Sequence, residues 1–129
     1  GSGFLTACLA RLARAVTSID LHADLIDGAR ARLIDCGAVN VKLDVADAMT
    51  FEPHHQFDAV CVTAAVAEVP AQFLEWLKPD GRMFIVRGIS PAQQALRMTR
   101  RGAGCHTEQL FETDIPYLRG AAPVPRFAL

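Results

Sequence analysis

Asp20, Asp47 and Thr63 stand out because each closes or follows a short apolar run, where a polar group is available for chemistry rather than needed for a core. Asp20 ends AVTSID, roughly twenty residues after the glycine turn Gly1-Ser2-Gly3. A carboxylate there can accept both vicinal hydroxyls of a ribose; its other use is to cap a helix starting near His22. Asp47, in VADAM, can accept a hydrogen bond from an exocyclic amine such as that of adenine, with turn capping or plain solvation as an equal alternative. Thr63 lies in FDAVCVTAAVAEVP, where Ala64 and Ala65 leave room for a ligand and Glu68 precedes Pro70. A tight turn into a helix at Pro70 explains the same residues without a ligand.

Gly1 and Gly3 lack side chains and let a ligand approach a helix N-terminus. A dinucleotide fingerprint needs a third glycine where this chain has Thr6, which argues against NAD. A Gly-Ser pair opening a chain is also a common cloning scar. His54 and His55 are adjacent in a polar loop without further ligands nearby in sequence, so they read as solvated and no metal is expected. Arg97, Arg100 and Arg101 cluster near a hairpin tip and read as a solvated turn rather than a phosphate site. No Ser–His–Asp or Cys–His set presents itself.

The elements that must hold these groups follow from the periodicity. Leu5, Cys8, Leu9 and Leu12 recur at helical spacing over residues 4–14, and Leu25, Ile26, Ala29 and Leu33 over 22–36, with Gly37 as the stop. Residues 15–20, 39–45 and 58–64 read as buried strands, AQFLEWL as a short helix, KPDG as a turn and GRMFIVRG as a further strand. After a Ser-Pro break, residues 92–102 and 105–115 read as a hairpin around Gly102-Ala103-Gly104. The Pro-rich GAAPVPRFAL reads as extended. Alternating helices and strands imply an α/β fold with a parallel sheet, helices on both faces and ligands beyond the carboxyl ends of the strands.

With 129 residues, 51% hydrophobic, the chain has the content of one domain, 1–129. A net charge of −1 gives no general attraction to nucleic acid or anionic membrane. Four cysteines without a CxxC pair, three of them in apolar runs, read as reduced core thiols in a cytoplasmic setting. No apolar run is long enough to span a bilayer as a helix.

Together these stretches resemble the protein-L-isoaspartate O-methyltransferases, which use S-adenosylmethionine. GSGFLTACLA is similar to the latter half of that family's glycine motif and first helix, SID to the end of its second strand, and VADA to the acid turn after its third. FDAVCVTAA with Glu68 and Pro70 is similar to F-D-x-I-x-V-[TG]-A-A-x-x-x-[IV]-P, and LKPDGRMFIVRG to L-x-x-G-G-x-[LM]-V-x-P-x-G. The resemblance implies a Rossmann-like methyltransferase sheet, mostly parallel with a C-terminal antiparallel hairpin and its first strand missing. It implies S-adenosyl-L-methionine held by Gly1, Ser2, Gly3, Asp20, Leu21, Asp47, Ala48 and Thr63, with Thr63 and Ala64 beside the transferred methyl and the substrate. The implied reaction is methylation of a carboxylate, that of L-isoaspartyl residues in damaged proteins. A carboxylate is ionised at neutral pH, so no general base is required. Two departures stand on the substrate side: Val66 or Ala67 and Val86 replace expected prolines, and Arg87 is added. They leave open a different acceptor, or a non-catalytic interaction module. A strand absent before Gly1 would leave its two neighbours with unpaired edges, so the chain is expected to be part of a longer protein or to self-associate through those edges.

Overall fold

A computed structural model describes residues 1–124, and its chain contacts gather into two units, Gly1–Glu52 and Pro53–Leu129. The extended reading of the tail therefore falls partly outside the described residues.

The first unit runs α1 (Phe4–Leu12), β1 (Val16–Asp20), α2 (Ala23–Asp35) and β2 (Val41–Val45). The two strands pair in parallel from Val16↔Val41 to Asp20↔Val45. Helix α2 buries Ile26, Ala29 and Leu33, the 3–4 spacing read from the sequence. It ends where Gly37 takes a left-handed φ of 72°. There the Gly37 amide donates to the Ile34 carbonyl (3.0 Å) and the Ala38 amide to that of Leu33 (2.9 Å), so the last carbonyls are satisfied. Helix α1 stops two residues earlier than its periodicity suggests. Asn40 explains this, because its Nδ2 donates to the carbonyls of Ala10 and Ala13 (both 2.9 Å) and ties the helix end to the start of β2. Thr6 Oγ1 donates to Ser18 Oγ at 3.1 Å, holding α1 on β1.

The second unit is a four-stranded sheet in the order β3 (Phe57–Val66), β4 (Leu77–Arg87), β5 (Gln93–Arg101), β6 (Gly104–Thr113), with the short helix α3 (Ala71–Glu75) between β3 and β4. β3 and β4 are parallel; β4–β5 and β5–β6 are antiparallel. The α/β units and the closing hairpin are thus both present, in two separate sheets. β1 and β3 are each terminal in their sheets. Phe73, Leu77, Met83, Ile85 and Leu96 are fully buried, and Phe73 stacks on Trp76 at 4.3 Å. The KPDG turn lies inside β4 as a bulge: register jumps from Phe57↔Leu77 to Ala59↔Arg82.

One expectation is corrected. Cys8, Cys36 and Cys61 are exposed rather than core, and Cys105 is half-buried. Apolar neighbours misled the reading: Cys61 alternates with the buried Val62 along β3, and Cys36 sits at the cap of α2 with its thiol directed to the Leu33 carbonyl (3.4 Å). No helix among the described residues is long and apolar enough to cross a membrane.

Candidate functional site

In the first unit, the parallel register sets Asp20 level with Val45, and the Ala46 amide donates to the Asp20 carbonyl at 3.0 Å. Asp47 follows at once. Both acids therefore stand at the carboxyl end of one two-stranded ladder, the end at which α/β sheets receive ligands. Asp20 Oδ1 accepts the His22 amide at 3.0 Å, and its Oδ2 accepts from the Gly1 amino group. Partial burial opposes the Asp20 charge, but these two hydrogen bonds and the adjacent positive charges outweigh it and hold the carboxyl below its ordinary value. The His22 contact closes a local turn ahead of α2 and is not the helix cap anticipated as Asp20's other use: His22 is the N-cap residue and no side chain caps the helix. Asp47 Oδ1 likewise accepts the Met49 amide (2.8 Å) and closes the turn after β2. Leu21 and Ala48, each next to one of these acids, are half-buried.

The two turn glycines differ. A β-carbon on Gly1 would have no protein atom within 4 Å, whereas one on Gly3 would meet Ala29 Cβ at 3.0 Å. Gly3 also has φ 83° as it enters α1, so its lack of a side chain serves the approach of α1 to α2. Ser2 lends its carbonyl to Arg32 Nη1 at 2.9 Å.

In the second unit, the question of why β3 ends in small residues has a backbone answer. Register passes from Cys61↔Phe84 to Ala65↔Val86, so Val62, Thr63 and Ala64 oppose the single residue Ile85. This bulge takes Thr63, which is exposed, and the half-buried Ala64 out of the regular ladder just before the strand re-enters the core at Ala65 and Val66. Backbone pairing with residues 116–121 secures the strand end. The Ala65 amide donates to the Pro116 carbonyl (2.9 Å), the Leu118 amide to that of Ala65 (2.7 Å) and the Ala67 amide to that of Ala121 (2.8 Å). Tyr117 hydroxyl donates to the Gly88 carbonyl (3.0 Å) and accepts the Ser90 amide (2.9 Å), locking this segment to the loop after β4. The lone tyrosine beside Pro116 was the only available signal.

The remaining candidates have structural employment. Arg97 pairs with Glu108 (2.5 Å), Arg101 with Asp80, and Arg100 donates to the Leu77 carbonyl (2.5 Å). His55 packs on Phe57, ring centroids 4.8 Å apart. Among the described residues no group of three His, Cys, Asp or Glu side chains lies close enough to hold a metal.

Comparison with known proteins gives this arrangement a lineage. The family profile of protein-L-isoaspartate(D-aspartate) O-methyltransferase matches residues 1–118. A protein-L-isoaspartate O-methyltransferase of Rhodopseudomonas palustris is 37% identical over 125 residues, covering 95% of this chain and 58% of that protein. One from Anaeromyxobacter is 42% identical over 104 residues, covering 79% of this chain and 49% of its own length. A crystal structure from Plasmodium falciparum, named for the same activity and complexed with S-adenosyl-L-homocysteine, superposes with a TM-score of 0.72 at 18% identity, over 81% of this chain and 52% of that one. At that identity it speaks for the fold, a Rossmann-like methyltransferase fold. The chain spans about half the length of the curated relatives it matches. Matched from Gly1 through the hairpin and Tyr117, it belongs to the protein-L-isoaspartate(D-aspartate) O-methyltransferase family.

Proposed function

We propose that the chain contributes the cofactor-holding and acceptor-facing parts of an S-adenosyl-L-methionine-dependent methyltransferase acting on L-isoaspartyl carboxylates of damaged proteins. The observation that carries this is the placement of Asp20 and Asp47 at one end of the β1–β2 ladder. Two acceptor-only groups on adjoining strand ends, with open space at Gly1, suit the hydroxyls and amine of an adenosyl group. Asp20 would hold the ribose, flanked by Leu21, and Asp47 with Ala48 the adenine. The Gly1-Ser2-Gly3 turn would admit the methionine portion. When bound, the cofactor supplies a methyl group already activated on a sulfonium.

In the second unit, Thr63 and Ala64 on the β3 bulge would face the acceptor. Thr63 offers one donor and one acceptor to orient a carboxylate, and Ala64 keeps the space beside it free. The acceptor carboxylate arrives ionised, so the protein's task is alignment and exclusion of water, which can supply most of the rate. Neither task needs a histidine or cysteine nucleophile.

Incubating the protein with methyl-labelled cofactor and an isoaspartyl peptide tests this. Label recovered as a base-labile ester on that peptide, and not on its aspartyl isomer, is the expected result. Label in a base-stable form, or equal labelling of both isomers, would overturn it.

A further inference from the structure

Gln93, the first residue of β5, is a polar side chain wholly buried in the second unit. A polar group in such surroundings needs partners, and Gln93 has half of them. Its Oε1 accepts the Ile115 amide at 2.8 Å, whereas its Nε2 has no partner among the described residues. An apolar side chain of similar shape would have left no donor unpaired. The amide is therefore explained by what its oxygen does, not by packing. Alternation along β5 puts Gln93 on the face of Ala95, and register carries that face through Val86 to Ala65 on β3. Ile115 and Tyr117 pack on this cluster. From Ile115 the chain goes straight to β3: the Pro116 carbonyl accepts the Ala65 amide (2.9 Å), and the Leu118 amide donates to the Ala65 carbonyl (2.7 Å). Tyr117 thus stands beside Ala65 as a one-residue parallel bridge. Ala65 is the residue that closes the bulge carrying Thr63 and Ala64.

We infer that Gln93 is a positioning residue for methyl transfer: by holding Ile115 it seats residues 116–118 on Ala65 and thereby fixes Thr63 and Ala64 toward the acceptor. The inference rests on the function proposed above, which puts the acceptor at the bulge. A bulge interrupts the ladder, so its geometry depends on what grips the residues next to it. Val66 is gripped from β4, its carbonyl taking the Gly88 amide at 3.0 Å, while both backbone groups of Ala65 are taken by Pro116 and Leu118. Pro116 has no amide hydrogen, so Ile115 supplies the nearest backbone donor ahead of the bridge. Tyr117 secures the same segment to the loop after β4, nearer the surface. Gln93 reaches it from the core, where loss of the acceptor oxygen would strand the Ile115 amide.

The test uses the whole chain with methyl-labelled cofactor and an isoaspartyl peptide, comparing wild type with Gln93→Met and Gln93→Glu. Gln93→Met keeps the bulk and removes the acceptor. It should lower kcat about tenfold to a hundredfold, as displacing a reacting group by about an ångström does, with the affinity for S-adenosyl-L-homocysteine unchanged. Gln93→Glu keeps an acceptor oxygen, and burial favours its neutral form. Its kcat relative to wild type should recover at mildly acid pH and fall as the carboxyl ionises. Hydrogen exchange reads the linkage without any reaction: the amides of Ala65 and Leu118 should exchange faster in Gln93→Met, while the β4–β5 ladder keeps its wild-type protection. A native Gln93→Met protein with wild-type kcat, with Ala65 exchange unchanged, or with cofactor affinity lost along with activity would refute the positioning role. Where Gln93→Met lacks a native circular dichroism spectrum, Gln93→Glu decides through its pH profile. A profile parallel to wild type, or no fold in either variant, equally refutes the role. Absence of methyl transfer by the wild type tells against the proposed reaction, while the exchange result still decides whether Gln93 fixes the strand end.

Discussion

At Asp20 a single carboxylate is asked to do two jobs. One oxygen takes the His22 amide at the mouth of α2 and the other meets the Gly1 amino group. Because both contacts favour the charged form, the folded carboxyl titrates below its unfolded counterpart despite partial burial. Its contribution to stability is therefore complete above the ordinary aspartate range and is lost as pH falls through the folded value. Asp20→Asn should lower the urea midpoint at neutral pH, and the gap to wild type should close on acidification. A gap that stays constant down to strongly acid pH would contradict this assignment. Asp47 was legible only as an acid after a strand. That one of its oxygens closes the turn onto Met49 depends on local backbone geometry, which residue type alone leaves open.

Elements were legible where one local rule governed them. The α2 stripe and its Gly37 stop, and the two-stranded hairpin around Gly102, follow from spacing and turn chemistry. Elements were obscure where pairing decided them: the β3 bulge and the β4 bulge at Lys78–Gly81 exist only as mismatches between partners distant in sequence. The grip of residues 116–121 on β3 is of the same kind. Two substitutions check these packing arguments. Gly3→Ala adds a β-carbon 3.0 Å from Ala29 Cβ at a φ of 83°, and should cost about 1–2 kcal/mol in chemical denaturation. Gly1→Ala, with no atom within 4 Å, should leave stability unchanged. Tyr117→Phe removes one hydroxyl that serves both Gly88 and Ser90 and should cost about 1–2 kcal/mol, read as a lower melting temperature. An unchanged melting temperature would mean that water replaces the hydroxyl at no loss.

For the molecule as a whole, the α/β order and the antiparallel ending could be read from the sequence, while the division into two sheets could not. Apolar periodicity shows which face of an element is suited to burial; it does not say what covers it. Leu5 and Leu12 of α1 illustrate the gap, being 41% and 85% exposed despite lying in a helical apolar pattern. The cysteines misread as core show it again. Membership of the family rests on sequence that runs through both units, and the proposed activity requires that the first unit recognise an adenosyl group through Asp20 and Asp47. Calorimetric titration with S-adenosyl-L-homocysteine measures that step without any methyl acceptor. Saturable one-to-one binding is expected, weakened about tenfold or more by Asp20→Ala and by Asp47→Ala, as loss of hydrogen bonds to a charged acceptor implies. Binding equally tight in both variants, or no binding by the folded wild-type protein, would contradict the account.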